Sequence, residues 1–202
     1  MPQSKRREGA RPARGAGQDE RGGIHSRQAK ALSHLDPDGK ARMVDVSAKP
    51  VTAREAVARG RITIAAAAMR RVREGQLEKG AVVEAARLAG ILAAKKTADV
   101  IPLCHPLPLT HVDVDLRPRR DGFAIEARVR TDARTGAEME ALHAVAVAAL
   151  TVYDMVKAAD KAMIIGPIEL VRKSGGRSGT WRRGRERTPG RKPGAASTTS
   201  PR

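Results

Sequence analysis

Aromatic side chains are nearly absent: the 202 residues include one Trp, one Tyr and one Phe. A core without rings has to be assembled from Ala, Val, Leu, Ile and Met, and a chain of this length is expected to fold as one domain. The same shortage counts against a surface that stacks on nucleic-acid bases, which needs aromatic platforms. Cysteine is scarce too. Cys104 stands alone, which excludes an intrachain disulfide and suits a reducing compartment. Apolar runs of about eighteen residues or more, the length a membrane-spanning helix needs, do not occur. The most apolar stretches, around Ile62–Met69 and Ala141–Val156, are short or interrupted by His143, Tyr153 and Asp154. Met1 leads straight into Pro-Gln-Ser-Lys-Arg-Arg with no hydrophobic stretch before Ile24, so no secretory leader is expected. The reading is a soluble cytoplasmic protein with no membrane partner.

Charge is abundant, with a formal net value of +17, but it is unevenly placed. Residues 1–30 carry eight Lys/Arg against three Asp/Glu, and residues 172–202 carry ten against one. That leaves 21 basic and 18 acidic residues over 31–171, a nearly neutral body. The basic ends invite a nucleic-acid reading; the neutral body and the lack of aromatics argue against it, so nucleic acid is not expected as a partner. Residues 1–30 are rich in Arg, Gly, Pro and Gln, and 175–202 in Gly, Arg, Pro, Ser and Thr. Neither offers enough apolar surface to offset ordering entropy, so both are expected to be flexible tails around a domain at 31–174.

Within that domain the pattern predicts short strands at Met43–Val46 and Arg61–Ile64, with Thr52–Arg59 ambiguous between helix and strand. After Glu78-Lys79-Gly80, an Ala-rich stretch with Val83, Leu88, Ile91 and Leu92 at helical intervals predicts one helix ending before Pro102. Gly90 inside it costs about 1 kcal/mol of propensity, which close packing would compensate. His111–Leu116 and Phe123–Arg130 alternate with period two around Arg120-Asp121-Gly122, predicting a hairpin. Glu138–Ala159 reads as a second long helix with Leu142, Val145, Ala149, Val152 and Val156 on one stripe. A last strand is predicted at Ala162–Val171. This order suggests an α+β fold, ferredoxin-like, with helices on one face of an antiparallel sheet.

Polar and chain-breaking residues concentrate in five places. In Met43–Lys49, followed by Thr52 and Arg54, Asp45 and Lys49 read blandly as solvated strand ends. In Ile101–Leu107, His105 is held near Pro102 and Pro106, which leaves it little freedom and suits a contact of fixed geometry. Cys104 beside it reads better as a structural residue than as a nucleophile, because neighbours in extended chain point apart. Glu138 and Glu140 fall in the first turn of the second long helix, where the macrodipole alone would account for them. Asp154 and Lys157 share a helical face, a surface ion pair on the plainest reading. Yet Asp154 sits near a helix C-terminus, where a carboxylate is disfavoured, and interrupts an apolar run. Arg172–Gly179 combines cations with glycines, either as an anion contact or as a basic linker. The five histidines and Cys104 show no zinc-site spacing, so no metal site is expected.

Taken in order, MVDVSAK, the KG before the Ala-rich helix, AAKKTADVIPLCHPL, TGAEMEAL, ALTVYDMVKA and IGPIELVRKSGGRSG resemble the molybdenum cofactor biosynthesis protein C family over residues 33–180. The resemblance implies a ferredoxin-like subunit in a homohexamer, a trimer of dimers, with active sites at the dimer interface. It implies a lyase reaction of the phosphorus-oxygen type: 3′,8-cyclo-7,8-dihydroguanosine 5′-triphosphate becomes cyclic pyranopterin monophosphate, with loss of pyrophosphate. By matching position, it makes Asp154 and Lys157 catalytic and Lys79 a further catalytic or binding residue. It places Leu103, Cys104, His105, Glu138, Met139 and Glu140 against substrate, and Asp45, Arg54 and Lys173 around the pocket. No resident cofactor is implied; Mg²⁺ accompanying the triphosphate is compatible with it. The chain departs from the family in its long basic tails, in Arg177 where Lys is common, and in His143 where a small polar residue is usual.

Overall fold

The computed structural model describes residues 38–75 and 81–184. Lys79, the 1–30 segment and residues 185–202 of the basic C-terminal stretch lie outside the described residues. The chain runs β1 (Thr52–Thr63), α1 (Ala66–Arg73), α2 (Val82–Lys95), α3 (Thr97–Val100), β2 (Leu109–Arg119), β3 (Gly122–Ala133), α4 (Glu138–Val156), β4 (Ile164–Ser174) and β5 (Trp181–Arg182). The strands form one antiparallel sheet in the order β2-β3-β1-β4-β5.

Two central strands carry the sheet. β1 pairs with β3 without interruption from Thr52↔Ala133 to Thr63↔Gly122. Its sequence, TAREAVARGRIT, is poor in strand formers, which is why composition left Thr52–Arg59 ambiguous. A partner on each side supplies what propensity does not. The strand expected at Met43–Val46 is not formed: among the described residues this segment carries no strand assignment, and the first strand of the sheet begins at Thr52. Their alternation is real, with Val44 and Val46 half-buried and Met43 and Asp45 exposed, but the wall they face is a cavity instead of a neighbouring strand.

The hairpin is β2 and β3, joined at the expected turn. Gly122 has φ 138°, and a Cβ there would lie 1.9 Å from the Ile62 carbonyl oxygen, so no other residue fits. The last strand runs on to Ser174, placing Arg172 and Lys173 in the sheet, with Lys173 opposite Ala56. β5, in the Gly/Arg-rich stretch from residue 175, pairs with the end of β4.

The expected single helix before Pro102 is broken. α2 stops at Lys95, and one further turn, α3, follows. The Thr97 hydroxyl lies 3.1 Å from the carbonyl oxygens of both Ala93 and Ala94, engaging acceptors that a continuing helix would give to backbone amides. α1, which the pattern left unassigned, covers one end of the core with Ala68 and Met69.

α2 and α4 pack on one face of the sheet, against Ala56, Ala58 and Ile62 of β1 and Phe123, Ile125, Ala127 and Val129 of β3. The opposite face carries charge: Glu55 accepts from Arg130 and Arg172, and Arg59 pairs with Glu126. Among the described helices, α4 is long and apolar enough by composition to cross a membrane. Its apolar stripe is spent inside the protein, where Ala141, Ala144, Val145, Ala148, Ala149, Val152 and Val156 are fully buried.

Gly90 is where α2 meets α4. A Cβ at this position would come 2.9 Å from the Ala144 carbonyl oxygen and 3.3 Å from the Ala148 Cβ. Gly90→Ala is therefore expected to destabilise the fold by about 1–3 kcal/mol through overpacking, despite the roughly 1 kcal/mol of helix propensity it gains. A urea midpoint equal to or above that of the parent chain would show that the two helices separate freely.

Candidate functional site

Three segments that are distant in sequence enclose a cavity of about 400 Å³, within the usual range for small-molecule sites. Val44, Val46 and Lys49 come from the extended segment before β1. Leu103, Cys104, His105 and Leu107 come from the loop between α3 and β2. Thr135, Gly136, Glu138, Met139 and Glu140 come from the entry to α4. Six of the residues assigned to substrate contact thus share one cavity: Leu103, Cys104, His105, Glu138, Met139 and Glu140.

The two glutamates of the first α4 turn occupy different environments. Glu138 folds back over Gly136, where a Cβ would lie 2.0 Å from its carboxylate oxygen, and accepts a 2.7 Å hydrogen bond from Lys173 Nζ on β4. Lys173 joins the cavity through this contact. Glu140 is 3% exposed and its Oε2 has no hydrogen-bond partner. Burial is the main cause pushing its carboxyl up to about 7; its own backbone amide opposes the shift and the Glu138 charge adds to it. The macrodipole alone does not explain a carboxyl placed this way, because a dipole-complementing acid has no need to leave water.

Cys104 is half-buried, and burial, then Glu140, then Glu138, push its thiol up, which holds it in the unreactive protonated form. Asp45 is exposed and does not line the cavity. Its Oδ1 accepts from the Ser47 amide at 2.8 Å, and this bond, a second from the Ser47 side chain and the nearby His105 hold it below the usual carboxylate range. Arg54 does not line the cavity either. Its Nε and Nη2 donate to the carbonyls of Ala133 and Arg134, at 2.9 and 3.0 Å, fixing the chain just before Thr135. Gly176 lies against the Arg54 guanidinium, and its φ of 69° is a backbone conformation that favours glycine.

Asp154 and Lys157 lie elsewhere. They are at the far end of α4, sixteen residues from Glu138, which is about 24 Å at 1.5 Å per residue. Lys157 Nζ donates to Asp154 Oδ1 at 2.6 Å; the side chains are 52% and 55% exposed. This hydrogen bond and the Asp154 charge raise the Lys157 ammonium pKa.

Lys49, Thr135 and Gly136 are cavity residues that sequence reasoning did not select. Lys49 was visible only as a charge after a strand-like run. Its position depends on a turn, Lys49 N–H to the Val46 carbonyl at 2.9 Å, that brings it back over the cavity. Among the described residues no group of three or more His, Cys, Asp or Glu is placed to hold a metal ion.

Glu140 makes stability depend on pH. The folded chain keeps a proton that the unfolded chain has released, so this contribution is fully present below pH 4.5 and is lost as pH rises to about 7. Glu140→Gln should match the parent chain below pH 4.5 and exceed its stability by about 2 kcal/mol above pH 7. Chemical denaturation across that range checks it, and parallel curves would place Glu140 in water.

Residues 43–176 match the family model described as the MoaC family. The chain is 62% identical over 154 residues to the cyclic pyranopterin monophosphate synthase of Thermomicrobium roseum, an overlap covering 75% of this chain and 93% of that relative. It is 55% identical over 156 residues to the enzyme of the same name from Parvibaculum lavamentivorans, covering 76% and 98%. With the enzyme of that name from Heliobacterium modesticaldum it shares 58% identity over 152 residues, covering 74% and 96%. The matched span takes in the whole cavity, both long helices and the Asp154–Lys157 pair, and on that extent of agreement the chain belongs to the MoaC family.

Proposed function

We propose that this chain is a cyclic pyranopterin monophosphate synthase, converting 3′,8-cyclo-7,8-dihydroguanosine 5′-triphosphate to cyclic pyranopterin monophosphate and pyrophosphate. The observation that carries this reading is the chemistry of the cavity. The Lys49 ammonium and the His105 imidazole border one small space with two carboxyl groups, Glu138 and Glu140, and the Lys173 ammonium reaches it through Glu138. A guanine-derived ring offers N–H donors for the carboxyl groups, and a triphosphate needs the cations. Closing the cyclic phosphate forms a P–O bond at the α-phosphorus and breaks the bond to the β-phosphate. Negative charge then grows on the departing pyrophosphate, where ammonium groups stabilise it.

Rearranging the ring also moves protons on and off nitrogen and carbon. Asp154 and Lys157 are the acid-base pair in this proposal: a carboxylate and an ammonium in contact serve both directions of transfer. Lys79, outside the described residues, is assigned a further catalytic or substrate-binding role. Mg²⁺, where used, enters with the triphosphate, and no resident cofactor is assigned.

A separation of about 24 Å keeps Glu138 and Asp154 of one chain out of one pocket. The site is therefore proposed to be composite, with α4 of two protomers antiparallel about a two-fold axis, so that the pair on one chain meets the cavity on the other. Leu150 supports this. It is 56% exposed and stands one turn before Asp154 on the same stripe, so apolar surface adjoins the catalytic pair. Leu88 and Leu92 expose further apolar surface on α2. Three such dimers make the proposed homohexamer, located in the cytoplasm. The subunit is assigned as ferredoxin-like, a reading supported by two long helices that alternate with antiparallel strands ordered β2-β3-β1-β4. Residues 31–174 contain every residue given a role.

The test is turnover of the cyclised GTP derivative, followed as pterin and pyrophosphate. Asp154→Asn should lower kcat at least about 100-fold, the scale of a lost acid-base group. Asp154→Ala and Glu138→Ala should each be inactive alone. After mixing and reassembly they should recover about one quarter of parent activity, because half of randomly formed dimers are hybrids and each hybrid holds one intact site. Mixtures no more active than either variant would overturn the composite site, and a parent chain that makes no pterin would overturn the function.

A further inference from the structure

The cavity walls are carried by two helical units that pack closely through α2 and α4 but meet only narrowly at α3. One wall, Leu103–His105, hangs from α3; the other, Glu138–Glu140, is the first turn of α4. α2 and α4 are pinned together at Gly90 and Ala144. α2 is thus fixed closely on α4, whereas α3 meets α4 through few residues, so the gap between the walls depends on how α3 is held at the end of α2.

A second contact lies nearer the cavity. Thr97 Oγ1, at the first residue of α3, is 3.2 Å from His143 Nδ1 on α4. Thr97 is 1% exposed. Its hydroxyl has one proton, which goes to the Ala93 or Ala94 carbonyl, each 3.1 Å away. With the proton on either carbonyl, the hydroxyl presents a lone pair toward His143, and Nδ1 is then the donor. Both ends of this bond connect rigidly to the cavity. From Thr97, backbone bonds run from the Ile101 amide to the Thr97 carbonyl at 2.9 Å, and from the Cys104 amide to the Ile101 carbonyl at 3.1 Å. From His143, Glu140 and Met139 are three and four residues back on the same helical face.

We infer that His143 is a positioning residue, whose Nδ1–H bond to Thr97 Oγ1 sets the separation of the Leu103–His105 wall from the Glu138–Glu140 wall. It touches no lining side chain's chemistry directly and acts through the α2–α3 joint. The kinetic consequence rests on the function proposed above; the structural consequence does not.

Two substitutions separate the hydrogen bond from bulk. His143→Leu keeps comparable volume without a donor, and His143→Asn keeps a side-chain N–H near the Nδ1 position. Amide hydrogen exchange at Leu103, Cys104 and His105 should quicken about tenfold in His143→Leu, the scale of one lost hydrogen bond, with amides of β1 and β3 unchanged. His143→Asn should restore slow exchange. On the cyclised GTP derivative, KM should rise about tenfold in His143→Leu while kcat changes by no more than about threefold, since the loop's alignment, and not the acid-base pair, is disturbed. Thr97→Val should reproduce these effects, and the double variant should be no worse than either single one. Unchanged exchange at 103–105, a uniform rise across the sheet, additive single effects, or an unaltered KM in an active His143→Leu enzyme would each overturn the inference. If the parent chain makes no pterin, the function falls and the exchange measurements alone decide the role of His143.

Discussion

Burial of α4 against the two central strands is the constraint from which the rest is placed. Its stripe of Ala141, Ala144, Val145, Ala148, Ala149, Val152 and Val156 is fully excluded from water. With Phe123 the one buried ring among the described residues, the fit depends on small side chains drawing the backbones close. At Gly60 a Cβ would meet Val145 Cγ1 at 2.5 Å, and at Gly90 one would meet the Ala144 carbonyl oxygen at 2.9 Å, so α4 is closely approached by β1 and by α2. A helix held this tightly along nineteen residues is a rigid spacer. It carries the cavity's carboxyl groups at one end and the Asp154–Lys157 pair at the other, and neither end moves toward the other without unmaking the core.

The two glutamates of the first α4 turn show how one rigid element produces two chemistries. Glu138 and Glu140 are two residues apart, so they leave the helix in different directions. Glu138 meets Lys173, which β4 delivers because the strand continues to Ser174. Glu140 turns inward and finds no cation. Desolvation then acts on Glu140 without a compensating partner, while the ion pair keeps Glu138 anchored. The difference comes from which neighbour each side chain faces, a property of the fold.

That distinction marks the border of what is legible in the sequence. The hairpin at Arg120-Asp121-Gly122, the buried stripe of α4 and the close packing at Gly90 are readable because local periodicity and the chemistry of glycine determine them. Leu103–His105 and Glu138–Glu140, singled out by motif order, line one cavity. What was not legible depends on partners distant along the chain. β1 is a strand because β3 and β4 flank it, not because TAREAVARGRIT favours extension. The helix expected to reach Pro102 ends at Lys95 because a threonine hydroxyl competes for its carbonyls. Met43–Val46 alternates like a strand but lines a cavity, and Lys49 enters that cavity by a turn whose residues carry no strong turn signal. Arg54, assigned to the pocket by resemblance, instead holds the carbonyls of Ala133 and Arg134.

Exposure of Asp154 and Lys157 follows from the same rigidity. A carboxylate near a helix C-terminus opposes the macrodipole, and an ammonium one turn on offsets that penalty only modestly in water. The arrangement is therefore weak as a stabilising device on an isolated chain. It gains force once water is removed, because the same charges interact more strongly in a low-dielectric enclosure. Neighbouring Leu150, exposed one turn away, is the kind of surface that excludes water when another protomer covers it. A pair that is poor at holding one chain together, beside a leucine left exposed among the described residues, is the arrangement on which the proposed two-subunit site rests.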